Sequence, residues 1–222
     1  MTSKRRGWIK FVLVELVLLL LILIIARPQV GSRIATNKER EGIETIIALD
    51  ISNSMLAEDV APSRLEKSKL LVENLMNKFS EDKIGLIVFA GDAFVQLPIT
   101  SDYVSAKMFL DNINPSLIGT QGTDIGKALQ LSMNSFAPNS KVGKAIILIT
   151  DGEDNEGGAE EMAKQAQSKG IRVFILGVGS TEGATMPMPD GSELKTSNGE
   201  VVKTRLNEEM CKQIATAGHG VY

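Results

Sequence analysis

From residue 43 onward, short apolar runs of strand length alternate with segments whose apolar residues recur at helical spacing. The runs ETIIALD, GLIVFA, AIILITD and RVFILGVG are apolar on both faces, which is typical of parallel strands covered by helices on both sides of the sheet. The first helical segment opens on the capping pattern of Ser63 and Glu66. The alternation predicts an α/β domain, doubly wound around a mostly parallel sheet, of the Rossmann-like kind.

Two smaller β features interrupt this alternation. The stretch KIGLIVFAGDAFVQLPI reads as two strands joined by a hairpin turn at Gly91-Asp92. Pro98 fits an edge strand better than a central one, so the sheet is expected to have one antiparallel edge strand. The turns PDGS and SNGE predict a small β excursion over about residues 186–204. Asn207 is expected to cap the last helix.

The N-terminus has a different pattern, an almost unbroken apolar run from Phe11 to Ala26. With the two apolar residues before Lys10, a helix of this length spans about 28 Å, close to the ~30 Å hydrocarbon core of a bilayer. The run therefore predicts a transmembrane helix. A cleaved signal peptide is the alternative, but it needs a shorter apolar core and small residues at a cleavage site. The basic residues before the run favour a cytoplasmic N-terminus and an exported domain; they are Lys4, Arg5 and Arg6.

These patterns predict three parts of the chain. Residues 1–27 hold the basic N-terminus and the transmembrane helix, residues 28–42 form a polar linker, and residues 43–222 form the folded domain. A hydrophobic content of 43% is enough for a sizeable core. The net charge of −3 offers no basic field for nucleic acid. The single cysteine, Cys211, cannot form an internal disulfide, and its helical position favours a packed, inert thiol.

Candidate chemistry lies where two apolar strands end in aspartate, at Asp50 and Asp151. The carboxyl ends of parallel strands meet at one edge of the sheet, where open α/β folds bind ligands. Ser52 and Ser54 follow at two-residue spacing, and in an extended segment such positions face the same way as Asp50. The glycine-rich stretch GTQGTDIGKAL adds Thr123 near the start of a helix. These five side chains are expected to converge.

The converging atoms would all be hard oxygens, without histidine or cysteine. Such a set suits Mg²⁺, or alternatively Mn²⁺ or Ca²⁺, and disfavours zinc and copper. The plainer interpretation is that Asp50 and Asp151 are each a helix cap or a turn acid. Glu153, Asp154 and Glu156 are expected to form a solvated acidic rim.

The segments DISNS, GTDIG and ITDG resemble the metal-ion-dependent adhesion site, MIDAS, of von Willebrand factor A-type (vWA) domains. Longer stretches, among them ALDISNSMLAEDVAPSRLEKSK and MPMPDGSELKTSNGEVV, are similar to the membrane-anchored Bat aerotolerance proteins of Bacteroides-type bacteria. The resemblance covers about residues 43–222. It implies that two serines bind the ion directly, that a threonine does so in one of two states, and that the aspartates act largely through water. Those roles map onto Ser52, Ser54, Thr123, Asp50 and Asp151.

The resemblance also implies a biological setting. The expected function is a protein-interaction module in a Bat-like envelope complex, with an acidic side chain of a partner completing the metal shell. Sibling vWA proteins, tetratricopeptide proteins and a MoxR-type ATPase are the implied partners. The expected location is the bacterial inner membrane, with one pass in this chain and a periplasmic domain. Bat proteins usually carry an earlier and a later membrane segment, so the sequence is expected to be a fragment or a short variant.

An enzyme is not expected from these residues. The alternative function is a Mg²⁺-dependent, phosphatase-like hydrolase, since such enzymes also place an aspartate at a strand end. Their chemistry needs a second acid two residues after the nucleophile, and serine occupies position 52 here.

Overall fold

The computed structural model describes residues 3–26, 42–138, 140, 142–187, 192–196 and 198–222. The chain divides into two compact units, Met1–Arg40 and Glu41–Tyr222. In the first unit, helix α1 covers Ser3–Ala26. Within the part of the chain that the structure describes, no helix combines the length and apolar character needed to cross a membrane, so the transmembrane helix predicted from the sequence is not found there. The predicted linker over residues 28–42 lies outside the described residues, except for its last residue.

The second unit is built on a five-stranded sheet. Its strands are β1 (Glu44–Asp50), β2 (Lys83–Phe89), β3 (Ala93–Thr100), β4 (Lys144–Thr150) and β5 (Ile171–Gly177). Their order in the sheet is β3-β2-β1-β4-β5. All neighbouring strands run parallel except β2 and β3, which form an antiparallel pair. The predicted mostly parallel sheet with one antiparallel edge strand is therefore confirmed, and Pro98 lies in that edge strand.

Helices cover both faces of the sheet, as the strands with two apolar faces predict. The helices are α2 (Arg64–Met76), α3 (Tyr103–Asp111), α4 (Ile125–Ser135), α5 (Ala159–Ser168) and α6 (Glu208–Ala217). Along β1, Ile47 and Leu49 pack towards α2 and α3, whereas Ile46 and Ala48 pack towards α4, α5 and α6. Alternate residues of one strand thus enter two hydrophobic cores. Each fully buried Leu or Ile side chain stabilises the fold by about 1.5–3 kcal/mol.

Side-chain caps fix where these helices begin. The Ser63 hydroxyl accepts the Glu66 N–H at 3.2 Å, as the capping pattern predicts. The Asp102 carboxylate caps α3 by accepting two backbone N–H groups. Asn207 caps α6, again as predicted, by accepting the Met210 N–H.

A small two-stranded sheet precedes α6. It pairs β6 (Ala184–Thr185) with β7 (Lys203–Thr204) in antiparallel fashion, and isolated bridges extend it through Pro187–Glu193 and Lys195–Val201. Among the described residues, this pairing begins with Ala184 opposite Thr204.

The order in which strands are added across the sheet reverses between the two central strands, β1 and β4. From β1 the chain passes outward to β2 and β3, whereas β4 returns to the other side of β1 and continues to β5. The carboxyl ends of β1 and β4 therefore flank the crevice at which open α/β sheets bind ligands. Asp50 ends β1 and Asp151 directly follows β4.

Candidate functional site

The first half of the site is the turn that follows β1. The Asp50 Oδ1 atom accepts the Ser52 N–H at 2.9 Å, which turns the chain into a short 3₁₀ helix over Asn53–Leu56. The Ser52 and Ser54 hydroxyl oxygens lie 2.9 Å apart and both residues are buried. The two serines therefore converge, but the predicted extended segment is wrong, since a turn and a 3₁₀ helix bring them together.

The second half is contributed by the end of β4. The Thr150 hydroxyl donates to Asp50 Oδ2 at 2.6 Å and accepts the Gly152 N–H. Asp50 and Asp151 are both fully buried. Burial, reinforced by the negative charge of Asp151, raises the pKa of Asp50 to about 7 from its ordinary value of 3.8. Two carboxylates that repel each other are thus held together at the crevice.

A buried arginine lies against the second carboxylate. The Arg64 Nη1 atom donates to Asp151 Oδ2 at 2.9 Å, while Nε and Nη2 donate to both carboxylate oxygens of Asp59 at 2.9 and 2.8 Å. Arg64 is completely buried, and it also donates to Oγ1 and the carbonyl of Thr204 and, at 3.5 Å, to the Ser54 carbonyl. One guanidinium therefore joins the site to the loop before α2 and to the small β6–β7 sheet.

Thr123 reaches the same edge of the sheet through a neighbouring loop. Its N–H donates to Asn155 Oδ1 and its carbonyl accepts the Asn155 N–H, both at 2.9 Å. Asn155 lies four residues after Asp151, so the loop before α4 is fastened to the loop after β4. In the described part of the chain, Thr123 is connected to the site by Asn155 and not by a hydrogen bond to either serine.

The predicted acidic rim is only partly correct. The Glu153 carboxylate is half-buried because it accepts the Thr204 hydroxyl at 3.0 Å and the Arg205 N–H at 3.2 Å. Asp154 is half-buried as well, and burial raises its pKa. Only Glu156 is exposed as predicted. Glu153 and Asp154 line a polar cavity of about 500 Å³ that extends to α6.

The five predicted side chains provide a suitable donor set for a hard divalent cation. Hydroxyl and carboxylate oxygens are the ligands that Mg²⁺, Mn²⁺ and Ca²⁺ prefer. When ionised, Asp50, Asp59 and Asp151 carry three negative charges against one positive charge on Arg64, which leaves two to be balanced. Among the described residues, no group of three or more His, Cys, Asp or Glu side chains is arranged to hold a metal ion. A cation bound here would therefore depend on hydroxyl ligands.

The raised pKa of Asp50 predicts an unusual pH dependence of stability. Between pH 3.8 and about 7, the folded protein keeps a proton that the unfolded chain has lost. The free energy of unfolding of the cation-free protein should therefore fall as the pH rises through this window. The fall should reach a few kcal/mol, at about 1.4 kcal/mol for each unit of pKa difference. Urea denaturation in a chelating buffer at several pH values measures it.

The matched variant for this experiment is Asp50→Asn, which keeps the shape of the side chain and removes its titration. The other titrating groups are common to both proteins, so the difference between them isolates Asp50. Wild type should lose more stability than the variant between pH 5 and pH 8. Parallel pH profiles for the two proteins would show that the Asp50 carboxyl titrates normally.

Four functional residues escaped the sequence analysis: Arg64, Asp59, Thr150 and Thr204. Arg64 is the first residue of α2 and directly follows the Ser63 cap, a position that usually faces solvent. Thr150 had the clearest signal, as the last strand residue before Asp151. Cys211 is buried, as its helical position predicted, and burial raises the pKa of its thiol to about 12.

Comparisons with known proteins agree with this architecture. The family model described as the von Willebrand factor type A domain matches residues 45–153. The crystal structure of the conserved hypothetical protein BatB from Bacteroides thetaiotaomicron is 60% identical in sequence, with a TM-score of 0.80. That match covers 82% of this chain and 89% of the other.

Two further structures extend the comparison. An aerotolerance-related membrane protein from Bacteroides fragilis, solved with multiple mutations to serines, is 57% identical over 82% of this chain and 90% of that one, with a TM-score of 0.80. Proximal thread matrix protein 1 from the mussel byssus, solved with a zinc-occupied MIDAS motif, is 20% identical over 81% and 40% of the two chains. Its TM-score of 0.61 shows a likeness of fold alone.

The curated relatives that the sequence matches are longer proteins. The chain spans 42% of one that is 32% identical and 58% of another that is 29% identical.

Proposed function

The chain belongs to the von Willebrand factor A-type domain family and, within it, to the Bat-type proteins; from this premise we propose that it is a metal-dependent protein-interaction module. The Ser52, Ser54 and Thr123 hydroxyls would hold a divalent cation directly, and Asp50 and Asp151 would hold it through water. The observation that carries the proposal is the pair of buried serine hydroxyls, 2.9 Å apart, beside two buried carboxylates.

The charge of the site favours a divalent cation over a monovalent one. Once Asp50 is ionised, the carboxylates of Asp50, Asp59 and Asp151 exceed the single guanidinium by two negative charges. Without a cation, burial and repulsion from Asp151 help to keep Asp50 protonated. Mg²⁺ is the first candidate, and Mn²⁺ and Ca²⁺ are alternatives with the same preference for oxygen. Asp50 is expected to lose its proton when a cation binds, so binding should release protons near neutral pH.

The ligands of the site predict what kind of partner it binds. Hydroxyls are neutral, and both oxygens of each aspartate already accept hydrogen bonds from the protein. These side chains would therefore leave the coordination shell of a bound divalent cation incomplete, and an Asp or Glu carboxylate of a partner would complete it. The module is thus expected to bind an acidic side chain on another protein.

The family suggests the setting in which this binding takes place. Sibling vWA proteins, tetratricopeptide proteins and a MoxR-type ATPase are the proposed partners in an envelope complex. Membrane attachment through α1 is proposed as well, with the module on the periplasmic side of the inner membrane. Two observations support it: the similar Bacteroides fragilis protein is named a membrane protein, and the apolar side chains of α1 from Trp8 to Ile22 are exposed.

Capture from an envelope extract tests the proposal. The full chain, kept in detergent micelles and immobilised, should retain proteins when Mg²⁺ is present and release them when a chelator is added. Sodium chloride of equal ionic strength should not release them, since the contact is a metal–carboxylate bond. Equal retention with and without the chelator would contradict metal-dependent binding. Turnover of a phosphate ester with Mg²⁺, lost in Asp50→Ala, would instead favour the hydrolase.

A further inference from the structure

We propose that Arg64 is a positioning residue of the cation site, which holds the Asp151 carboxylate so that it does not ligate the cation directly. By this contact, Arg64 would preserve the dependence of the site on an acidic ligand from outside. The inference rests on the proposed function and assigns a role to a residue outside the five predicted ones.

Both carboxylate oxygens of Asp151 already accept hydrogen bonds from the protein. Its Oδ2 atom accepts Nη1 of Arg64 at 2.9 Å, and Oδ1 accepts the Glu153 N–H at 3.2 Å. The Thr204 hydroxyl lies 3.4 Å from Oδ2 but closer, at 3.0 Å, to the Glu153 carboxylate. Asp50 also has both oxygens engaged, but by neutral donors, the Ser52 N–H and the Thr150 hydroxyl. Asp151 is therefore the site carboxylate for which any cation must compete with a guanidinium.

The position of Arg64 is fixed from several sides. Asp59 binds the guanidinium with both oxygens and is itself held by the Ser180 N–H at 2.7 Å. Thr204 contributes its hydroxyl and its carbonyl. Gly179 packs so closely that a Cβ at this residue would lie 2.7 Å from Nε of Arg64. A buried, bidentate arginine with this many partners cannot move aside without breaking several charged hydrogen bonds.

The chemical consequence follows from ligand charge. A carboxylate bound directly to a divalent cation compensates more of its charge than a carboxylate that reaches it through water. If Asp151 were released, its Oδ2 atom would be free to replace a water ligand, and the cation would bind more tightly. The same change would weaken the attraction for the carboxylate of a partner. Arg64 would thus lower the affinity of the site for the cation and strengthen the binding of the partner's carboxylate.

The test uses Arg64→Gln combined with Asp59→Asn, which removes one positive and one negative charge and leaves the net charge unchanged. Mn²⁺ alone is the probe, added to the full chain in detergent. Its affinity is measured by calorimetry and its bound waters are counted by water-proton relaxation. The double variant is expected to bind Mn²⁺ at least about tenfold more tightly than wild type, with fewer bound waters.

Three single variants check the interpretation. Gly179→Ala should displace the guanidinium without removing a charge and should change both quantities in the same direction. Gly157→Ala is its control, because it also has a positive φ but no atom within 4 Å of the added Cβ. Asp59→Asn alone leaves Arg64 on Asp151, so its bound-water count should equal that of wild type.

The outcomes separate the two claims. If wild type binds no Mn²⁺, the proposed function fails, whatever the variants do. If wild type binds Mn²⁺ but Gly179→Ala and the folded double variant keep its affinity and water count, Arg64 is only structural and the inference fails alone. Should the double variant not melt cooperatively, the comparison of Gly179→Ala with Gly157→Ala decides.

Discussion

Replacing Ser52 and Ser54 together by alanine is expected to abolish divalent-cation binding while leaving the fold intact. Both hydroxyls are proposed as direct ligands, and changes one shell further out typically cost 10–100-fold in metal affinity. The loss of both should therefore exceed about 100-fold. Calorimetric titration of Mn²⁺ into the full chain in detergent measures the effect, with wild type as reference.

The fold should survive because the two hydroxyls are paired with each other. Their oxygens lie 2.9 Å apart, so the double change removes donor and acceptor together and leaves neither unsatisfied. Ser132→Ala is the matched control, since Ser132 is an equally buried serine in α4 that donates to the Ala128 carbonyl. That variant should bind Mn²⁺ as wild type does. Unchanged Mn²⁺ affinity in the double variant would contradict the proposed ligands.

The second large effect is on stability. Replacing Arg64 by methionine is expected to lower the free energy of unfolding at pH 7 by about 3–5 kcal/mol. Methionine fills much of the same volume, so the cost arises mainly because Asp59 and Asp151 remain buried without their positive partner. Urea denaturation in a chelating buffer measures the loss. Arg205→Met is the control, because Arg205 is exposed and a surface change usually stays within about 0.5 kcal/mol.

This effect should also depend on pH with a definite sign. Burial of Asp59 opposes its ionisation, but hydrogen bonds from Arg64 outweigh burial and lower the pKa of Asp59 below its ordinary value of 3.8. The stabilisation from this pair is therefore complete above pH 3.8 and is lost as the pH falls through the lowered pKa. The difference between wild type and Arg64→Met should shrink in acid. A variant as stable as Arg205→Met at pH 7 would refute a stabilising network.

The sequence predicted those features that depend on local signals. Strand ends at Asp50 and Asp151 followed from apolar runs that stop at a carboxylate, and the parallel sheet then determines that both lie at one edge. The antiparallel β3 followed from the hairpin turn at Gly91-Asp92. These predictions succeeded because hydrophobic periodicity and turn chemistry act within a few residues.

The features that escaped prediction depend on contacts between distant parts of the chain. Arg64 is separated by 87 residues from Asp151 and by 140 from Thr204, so no local pattern distinguishes it from a solvated arginine at the start of a helix. The geometry of Ser52 and Ser54 was mistaken for a different reason. The Asp50 carboxylate competes for the Ser52 N–H and converts an expected extended segment into a turn.

The proposal that the Ser52 and Ser54 hydroxyls hold a divalent cation is tested most directly by crystallography. Crystals are grown with Mn²⁺, and diffraction data are collected to locate manganese by its anomalous signal. The account predicts a single strong peak within bonding distance of the Ser52 and Ser54 hydroxyls, with Asp151 still bound to Arg64. A peak in the acidic cavity beside Glu153 and Asp154 instead, with none at the two serines, would contradict it.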